Sequence, residues 1–279
     1  MGNLYRSREG AVAAADTKTQ LITLGSQTAP GPLLVPGTAK FLKAAYVAVA
    51  SSLEAADNYA FLFRLEGPGI NRGVFNFAGG AGGIPVATGG NAISVTKRIP
   101  INIEVIPGQE ILVYAENVHG DMGTHEAAIT LEFGDTAGPE GEAKGEITVE
   151  GEITAVDTLT RLTAQGSVTA PSRLTPPGTS ILKRLIYAFA HDGQADGEVT
   201  LFVRLGGDAI KGGEQTIVLG SGSRIAVQTG SDAAPAIMTS HILDNLDLEI
   251  NPAETLDISV EMAGVDVGTA GVIVTAIFV

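Results

Sequence analysis

The sequence predicts an all-β chain of two tandem β-sandwich domains, on three observations. The chain repeats itself: "GSQTAP" at Gly25–Pro30 returns as "GSVTAP" at Gly166–Pro171, and "FLFRLEGPGINRG" at Phe61–Gly73 returns as "LFVRLGGDAIKGG" at Leu201–Gly213. "HGDMGTHEAAITLEF" at His119–Phe133 likewise returns as "GVDVGTAGVIVTAIF" at Gly264–Phe278. The offset is 141 at Pro30/Pro171, 140 at Arg64/Arg204 and 145 at Phe133/Phe278. Such a period is that of a duplicated domain, not of a solenoid repeat. Second, the 279 residues are 44% hydrophobic but only 5% aromatic, with 36 Gly and 13 Pro, the profile of β-branched runs separated by tight turns. Third, strand signals recur at short, regular spacing, and no stretch holds a clean helical period.

Along the chain, residues 1–19 read as an N-terminal arm, basic at Arg6 and Arg8 and alanine-rich afterwards. The first domain is expected over 20–134, with strands near Leu21–Thr28, Phe41–Ala50, Tyr59–Glu66, Val74–Ala78, Ala92–Arg98, Ile101–Val105, Ile111–Glu116 and Glu126–Phe133. Residues 135–156 form a linker: "DTAGPEGEAKGE" is exposed and flexible by composition, and "EITVEGEITAV" at Glu146–Val156 alternates as a short half-buried strand. The second domain, 157–279, repeats the pattern at Arg161–Thr169, Ile181–Ala190, Val199–Leu205, Gln215–Leu219, Arg224–Gln228, Ala236–Leu243, Leu246–Ile250, Leu256–Glu261 and Gly271–Val279. Pro36-Gly37, Pro107-Gly108, Pro177-Gly178 and Gly206-Gly207 supply turns. Ser51–Ala60 and His191–Glu198 are short-helix candidates that read equally well as loops. Some eight strands in about 115 residues suit an eight-stranded jelly roll of two packed sheets. An immunoglobulin-like sandwich is the alternative, but it favours a buried Trp, often with a Cys pair, and the chain has no Trp and no Cys.

The net charge of −14 repels phosphate backbones, so no direct nucleic-acid binding is expected. The absence of Cys rules out disulfides. No stretch has the length of a secretory or membrane-spanning segment; "AGVIVTAIFV" at Ala270–Val279 is half as long as a membrane helix requires. The expectation is a protein made and assembled in a cytoplasm.

Candidate chemistry is sparse. The glycine-rich "FAGGAGGIPVATGG" at Phe77–Gly90 lacks the Lys and the following helix of a phosphate loop and reads as a mobile surface loop. His119 and His125 flank Asp121, but the second copy has Gly264 and Ala270 there, so a metal site is not built into the repeat. Asp121 and Asp266 fit hairpin chemistry. No nucleophile–base pairing is evident, so no catalytic, cofactor or metal residue is assigned and an enzyme is not expected. The interaction candidates are Arg6 and Arg8 in the arm, the matched Arg64 and Arg204 at strand ends, and the matched Lys40, Lys43, Lys183 and Arg184 at strand starts. Arg64 and Arg204 suit either a carboxylate on a neighbouring subunit or loop carbonyls of their own domain. The Lys/Arg group suits either the guarding of sheet edges or subunit contacts.

In its duplication, strand count and matched pairs the chain resembles the double jelly-roll major capsid proteins of tailless icosahedral double-stranded DNA viruses, over residues 20–279. The resemblance implies a structural virion protein, a major capsid subunit whose homotrimers form pseudo-hexameric blocks that tile a shell. It further implies assembly in the host cytoplasm, with the arm reaching a neighbouring capsomer, minor capsid proteins or an internal membrane, and it implies no cofactor. The alternatives are a non-viral filament or sheath subunit that polymerises by strand addition and a tandem carbohydrate-binding module. The latter is disfavoured by the scarcity of aromatics.

Overall fold

The computed structural model describes residues 3–12, 15–28, 30–51, 57–84, 92–93, 97–119, 125–168, 171–191, 198–223, 241–264 and 270–279. These are all-β, with several antiparallel sheets and no helix. The first half contains β1 (Leu4–Val12), β2 (Thr19–Gln20), β3 (Phe41–Ser51), β4 (Asp57–Glu66), β5 (Val74–Ile84), β6 (Ala92–Ile93), β7 (Lys97–Glu104), β8 (Leu112–His119) and β9 (His125–Gly134). The second contains β10 (Gly145–Ile153), β11 (Thr160–Arg161), β12 (Ile181–His191), β13 (Glu198–Gly206), β14 (Gln215–Ser223), β15 (His241–Leu243), β16 (Leu248–Glu249), β17 (Asp257–Gly264) and β18 (Ala270–Phe278).

The first half has a sheet β1-β9-β3, with β6 and β7 both paired to β3, and a sheet β2-β8-β4-β5. The second half has β10-β18-β12, with β15 and β16 both paired to β12, and β11-β17-β13-β14. The pairing order is the same in both. Irregularities recur too. Lys43 is bulged out of the β3 ladders between Leu42 and Ala44, and Lys183 out of the β12–β18 ladder between Leu182 and Arg184. Each bulge shifts the alternation by one residue, so that Ala45, Val47 and Val49 in β3, and Leu185, Tyr187 and Phe189 in β12, point into their own half's core.

Two sequence expectations change here. The arm is a strand: β1 pairs with β9 from Leu4–Phe133 to Val12–His125, as β10 pairs with β18 from Gly145–Phe278 to Ile153–Ala270. Residues 4–12 are therefore the positional counterpart of 145–153. Their inward positions include Arg8 and Gly10, which hide the alternation in the sequence. The lysine-bearing strands β3 and β12 are inner strands, not edges, so edge protection does not explain Lys40, Lys43, Lys183 or Arg184.

Other elements differ locally. Of the expected glycine loop, residues 77–84 belong to β5 and 85–90 lie outside the described residues. Of the helix candidates, 57–60 are in β4, while 52–56 and 192–197 lie outside the described residues. In place of the expected strands Leu21–Thr28 and Arg161–Thr169 stand two-residue strands at their starts, β2 just before Leu21 and β11 ending at Arg161, followed only by isolated bridges. The expected Arg224–Gln228 lies outside the described residues.

The four sheets stack as layers. Phe61, Phe63, Phe75, Phe77 and Phe133 fill the first core, and Tyr187, Phe189, Leu205 and Phe278 the second. Each such side chain contributes roughly 1.5–3 kcal/mol of burial. Between the halves, β12, β18 and β10 pack against β4 and β5, and Ile186, Ala188, Ile273 and Ile277 join the hydrophobic cluster of the first half. β18 is accordingly buried at every position. Its residues Val272, Val274, Ala276 and Phe278 serve one core, and Ile273 and Ile277 the other.

Candidate functional site

The junction between the halves is the most elaborated polar site in the described residues. β5 is the last strand of its sheet, so alternate backbone groups along one side lack a ladder partner and need another. The second half provides it through side chains. Asn76 N donates to Glu146 Oε1 at 3.0 Å, Ala78 N donates to Thr275 Oγ1 at 3.0 Å, and Thr148 Oγ1 donates to the Asn76 carbonyl at 3.1 Å. Thr148 Oγ1 also lies 2.9 Å from Thr275 Oγ1. Thr148 and Thr275 are opposite each other in the β10–β18 register, which places both hydroxyls against the β5 edge. Burial pushes the Glu146 carboxyl up to about 7, partly offset by its hydrogen bond from Asn76 and by Arg72.

A second contact lies at the turn Gly166–Ser167. Ser167 N donates to the Glu116 carboxylate. Gly166 holds φ +54 and a β-carbon there would stand 2.5 Å from Glu116, so the position requires glycine both for conformation and for space. The Gly166 backbone also hydrogen-bonds Glu150, whose carboxyl is raised to about 7 by burial and by the neighbouring Asp16, Glu116 and Glu152. Burial raises Glu116 as well, against the hydrogen bond from Ser167 and the charge of Arg64. Two carboxyls, one from each half, thus converge on one turn.

The predicted interaction residues fall into separate places. Arg184, 2% exposed in its side chain, donates from Nη1 to the Pro100 carbonyl at 3.1 Å and pairs with Asp244; it ties the two halves together inside one chain. Arg8 is buried and donates to the carbonyls of Ser7 and Gly31 at 2.7 and 2.6 Å. Arg204 pairs with Glu261 at 2.7 Å, and Arg64 lies 3.8 Å from Glu66. Lys183 reaches Asp247 at 2.6 Å and Lys43 reaches Asn3 at 3.2 Å. Arg6 and Lys40 are exposed, Arg6 donating to the Tyr5 carbonyl at 3.0 Å. The structure does not gather these eight into one site. Arg8 and Arg184 are the two of these whose guanidinium groups are enclosed by partners within the chain.

His125 is buried, edge-on to Phe61 at 5.5 Å between ring centroids and 3.1 Å from Asn117 Nδ2; Asp121 and Asp266 lie outside the described residues. Among the described residues no group of three or more His, Asp or Glu side chains is placed to hold a metal, and no helix is long and apolar enough to cross a membrane. A further polar network, unseen from the sequence, lies around Glu132 on the outer face of the first sheet. Buried Glu132 accepts from Asn3 (2.7 Å), Tyr46 (2.9 Å) and Arg98 (3.0 Å), and Arg98 also pairs with Glu140 at 3.1 Å. Burial works to lower the Arg98 pKa, but the hydrogen bonds of Glu132 and Glu140 raise it above its ordinary value.

No family model matches the chain and no curated protein matches it. Among solved structures it is similar to PNGF-II, at 10% identity and a TM-score of 0.38, with 98% of this chain and 65% of that one covered; the chain thus spans just under two thirds of that length. It is also similar to PNGase F, a glycosylasparaginase from Flavobacterium meningosepticum (10% identity, TM-score 0.36, coverage 99% and 96%), and to Broad Bean Stain Virus (8% identity, TM-score 0.27, coverage 95% and 90%). At these TM-scores the likenesses define neither a fold family nor an activity.

Proposed function

We propose that the chain is a structural, self-assembling subunit of two tandem jelly rolls derived from one by duplication, of the double jelly-roll major capsid kind. Its homotrimers would form pseudo-hexameric blocks of a virion shell, assembled in a host cytoplasm. The observation that carries the reading is the strand order. With β6 and β7 counted as one position, the first half runs 1-8-3-6 in one sheet and 2-7-4-5 in the other, the order of an eight-stranded jelly roll; with β15 and β16 so counted, the second half repeats it. The face-to-face stack of two such units gives each chain two related but unequal blocks, so that three chains make a six-sided assembly.

Negative-stain microscopy of the purified protein tests this. Hexagonal blocks or closed shells are expected; single two-lobed particles at every concentration overturn it. Val218 on β14, the last strand of its sheet, is an exposed apolar side chain, and this open edge favours a filament subunit as the second reading. Long unbranched fibres in the same micrographs would select it.

A further inference from the structure

We infer that one copy docks on the next by repeating the internal junction: the outer face of β1-β9-β3 in one copy packs on the β14 side of the last sheet in another. This rests on the reading of the chain as a self-assembling subunit and supplies its contact surface.

The correspondence is set by register. Within the β1-β9-β3 sheet Thr130 stands opposite Ser7 on one side and Tyr46 on the other; within the β10-β18-β12 sheet Thr275 stands opposite Thr148 and Ile186. Ser7 and Thr130 therefore occupy the places of Thr148 and Thr275, and their hydroxyls are 2.8 Å apart where those of the second half are 2.9 Å apart. The second pair is closed against the β5 edge; the first lies half-buried on an outer face.

The complementary surface exists at the other end of the stack. Asn76 and Ala78 of β5 stand opposite Arg64 and Leu62, and Thr216 and Val218 of β14 stand opposite Arg204 and Phe202. β14, like β5, is the last strand of its sheet. Ala78 is 0% exposed and Leu62 1%, covered by the second half, whereas Val218 is 55% exposed and Phe202 is half-buried. An apolar strand edge left open in this way is a template for a partner. In the repeated junction the Ser7 and Thr130 hydroxyls meet the Thr216 carbonyl and the Val218 N–H, as Thr148 and Thr275 meet Asn76 and Ala78.

The turn contact repeats independently. Gly25 N donates to Glu9 at 2.6 Å, and Glu9 holds the place of Glu150 in the ladder, so the Gly25–Ser26 turn matches Gly166–Ser167 down to φ values of 55 and 54. A β-carbon at Gly25 would meet nothing within 4 Å, whereas at Gly166 it would strike Glu116. The acceptor that Glu116 gives Ser167 is matched by Glu261, which faces outward beside Arg204 and is available to Ser26 N of a second copy.

The chain has no cysteine, so introduced thiols report without background. Ser7→Cys and Thr216→Cys proteins are prepared separately, mixed, and treated with a short bismaleimide. A cross-linked dimer in the mixture, absent from either variant alone, is expected. Val218→Arg, on an exposed position, is expected to abolish assembly in sedimentation velocity with thermal unfolding of the chain unchanged. If particles assemble yet the mixture gives no dimer, or Val218→Arg assembles normally, the docking inference is overturned while the self-assembly reading stands. If wild-type protein sediments only as monomer, both fall.

Discussion

The ring of Phe63 lies on the backbone of Gly79, so closely that a β-carbon at 79 would stand 2.0 Å from Phe63 Cδ2. Gly79 is the bulged residue of β5, skipped between the pairs Phe61–Gly80 and Leu62–Ala78. The second half has the same bulge, skipped between Leu201–Gly220 and Phe202–Val218, and there it is Leu219, with Val203 in the place of Phe63. One half fits a large ring over no side chain, and the other a small side chain beside a large one. The volume is conserved and its distribution exchanged.

This exchange predicts a strong coupling. Gly79→Leu alone overpacks the first core and costs about 3 kcal/mol or more, and Phe63→Val alone leaves a cavity worth about 1–3 kcal/mol. The double variant recovers much of the loss. Urea unfolding of the four proteins of the cycle gives the coupling energy; additive losses contradict the exchange.

At the junction, Thr275→Val removes the acceptor of the Ala78 N–H in a site that is 0% exposed at residue 275. An unsatisfied buried donor costs about 1–3 kcal/mol. Thr130→Val, at the matching but half-buried position, costs less than about 1 kcal/mol in the isolated chain. Thermal denaturation of the two variants side by side measures the difference.

The junction carboxyls set a pH dependence. Glu146 and Glu150 are raised to about 7 in the folded chain from an ordinary 4.5. Between these values the folded state holds more protons than the unfolded, so their contribution to stability is full below about 4.5 and is lost as pH rises through about 7. Glu146→Gln, which cannot ionise, flattens that decline by on the order of 1–3 kcal/mol. Denaturant midpoints of wild type and variant from pH 5 to 8 check it; parallel curves contradict it.

The paired arginines separate by burial. Arg184→Leu removes the bond to the Pro100 carbonyl across the halves and leaves that carbonyl uncompensated, at a cost of about 1–3 kcal/mol. Arg204→Leu breaks a partly exposed pair with Glu261 and costs about 1 kcal/mol or less.

Removal of residues 1–12 deletes β1 and bares the β9 edge. The expected result is a destabilised, aggregation-prone chain, measured as a lowered melting temperature and loss of soluble yield. A shortened chain that melts like wild type contradicts the placement of β1.

Strands with clear alternation were legible in the sequence. Phe41–Ala50, Tyr59–Glu66, Val199–Leu205 and Leu256–Glu261 lie within or overlap β3, β4, β13 and β17. β1 was not, because Arg8 and Gly10 occupy inward positions that normally carry apolar side chains. The junction was hidden for a related reason: Asn76, Thr148 and Thr275 read as solvent-facing until a second sheet lies against them. One signal did point to it. "HEAAITLEF" of β9 alternates, whereas its counterpart "AGVIVTAIF" of β18 is almost unbroken in apolar character, as a strand buried on both faces should be. The difference between copies, more than their likeness, marks the covered sheet.

The central claim is that this stack of two related units is a building block that associates with its own copies. Native mass spectrometry of the purified wild-type protein over a concentration series tests it most directly. The account predicts a dominant species of three chains and higher multiples of it; a spectrum of single chains at every concentration contradicts it.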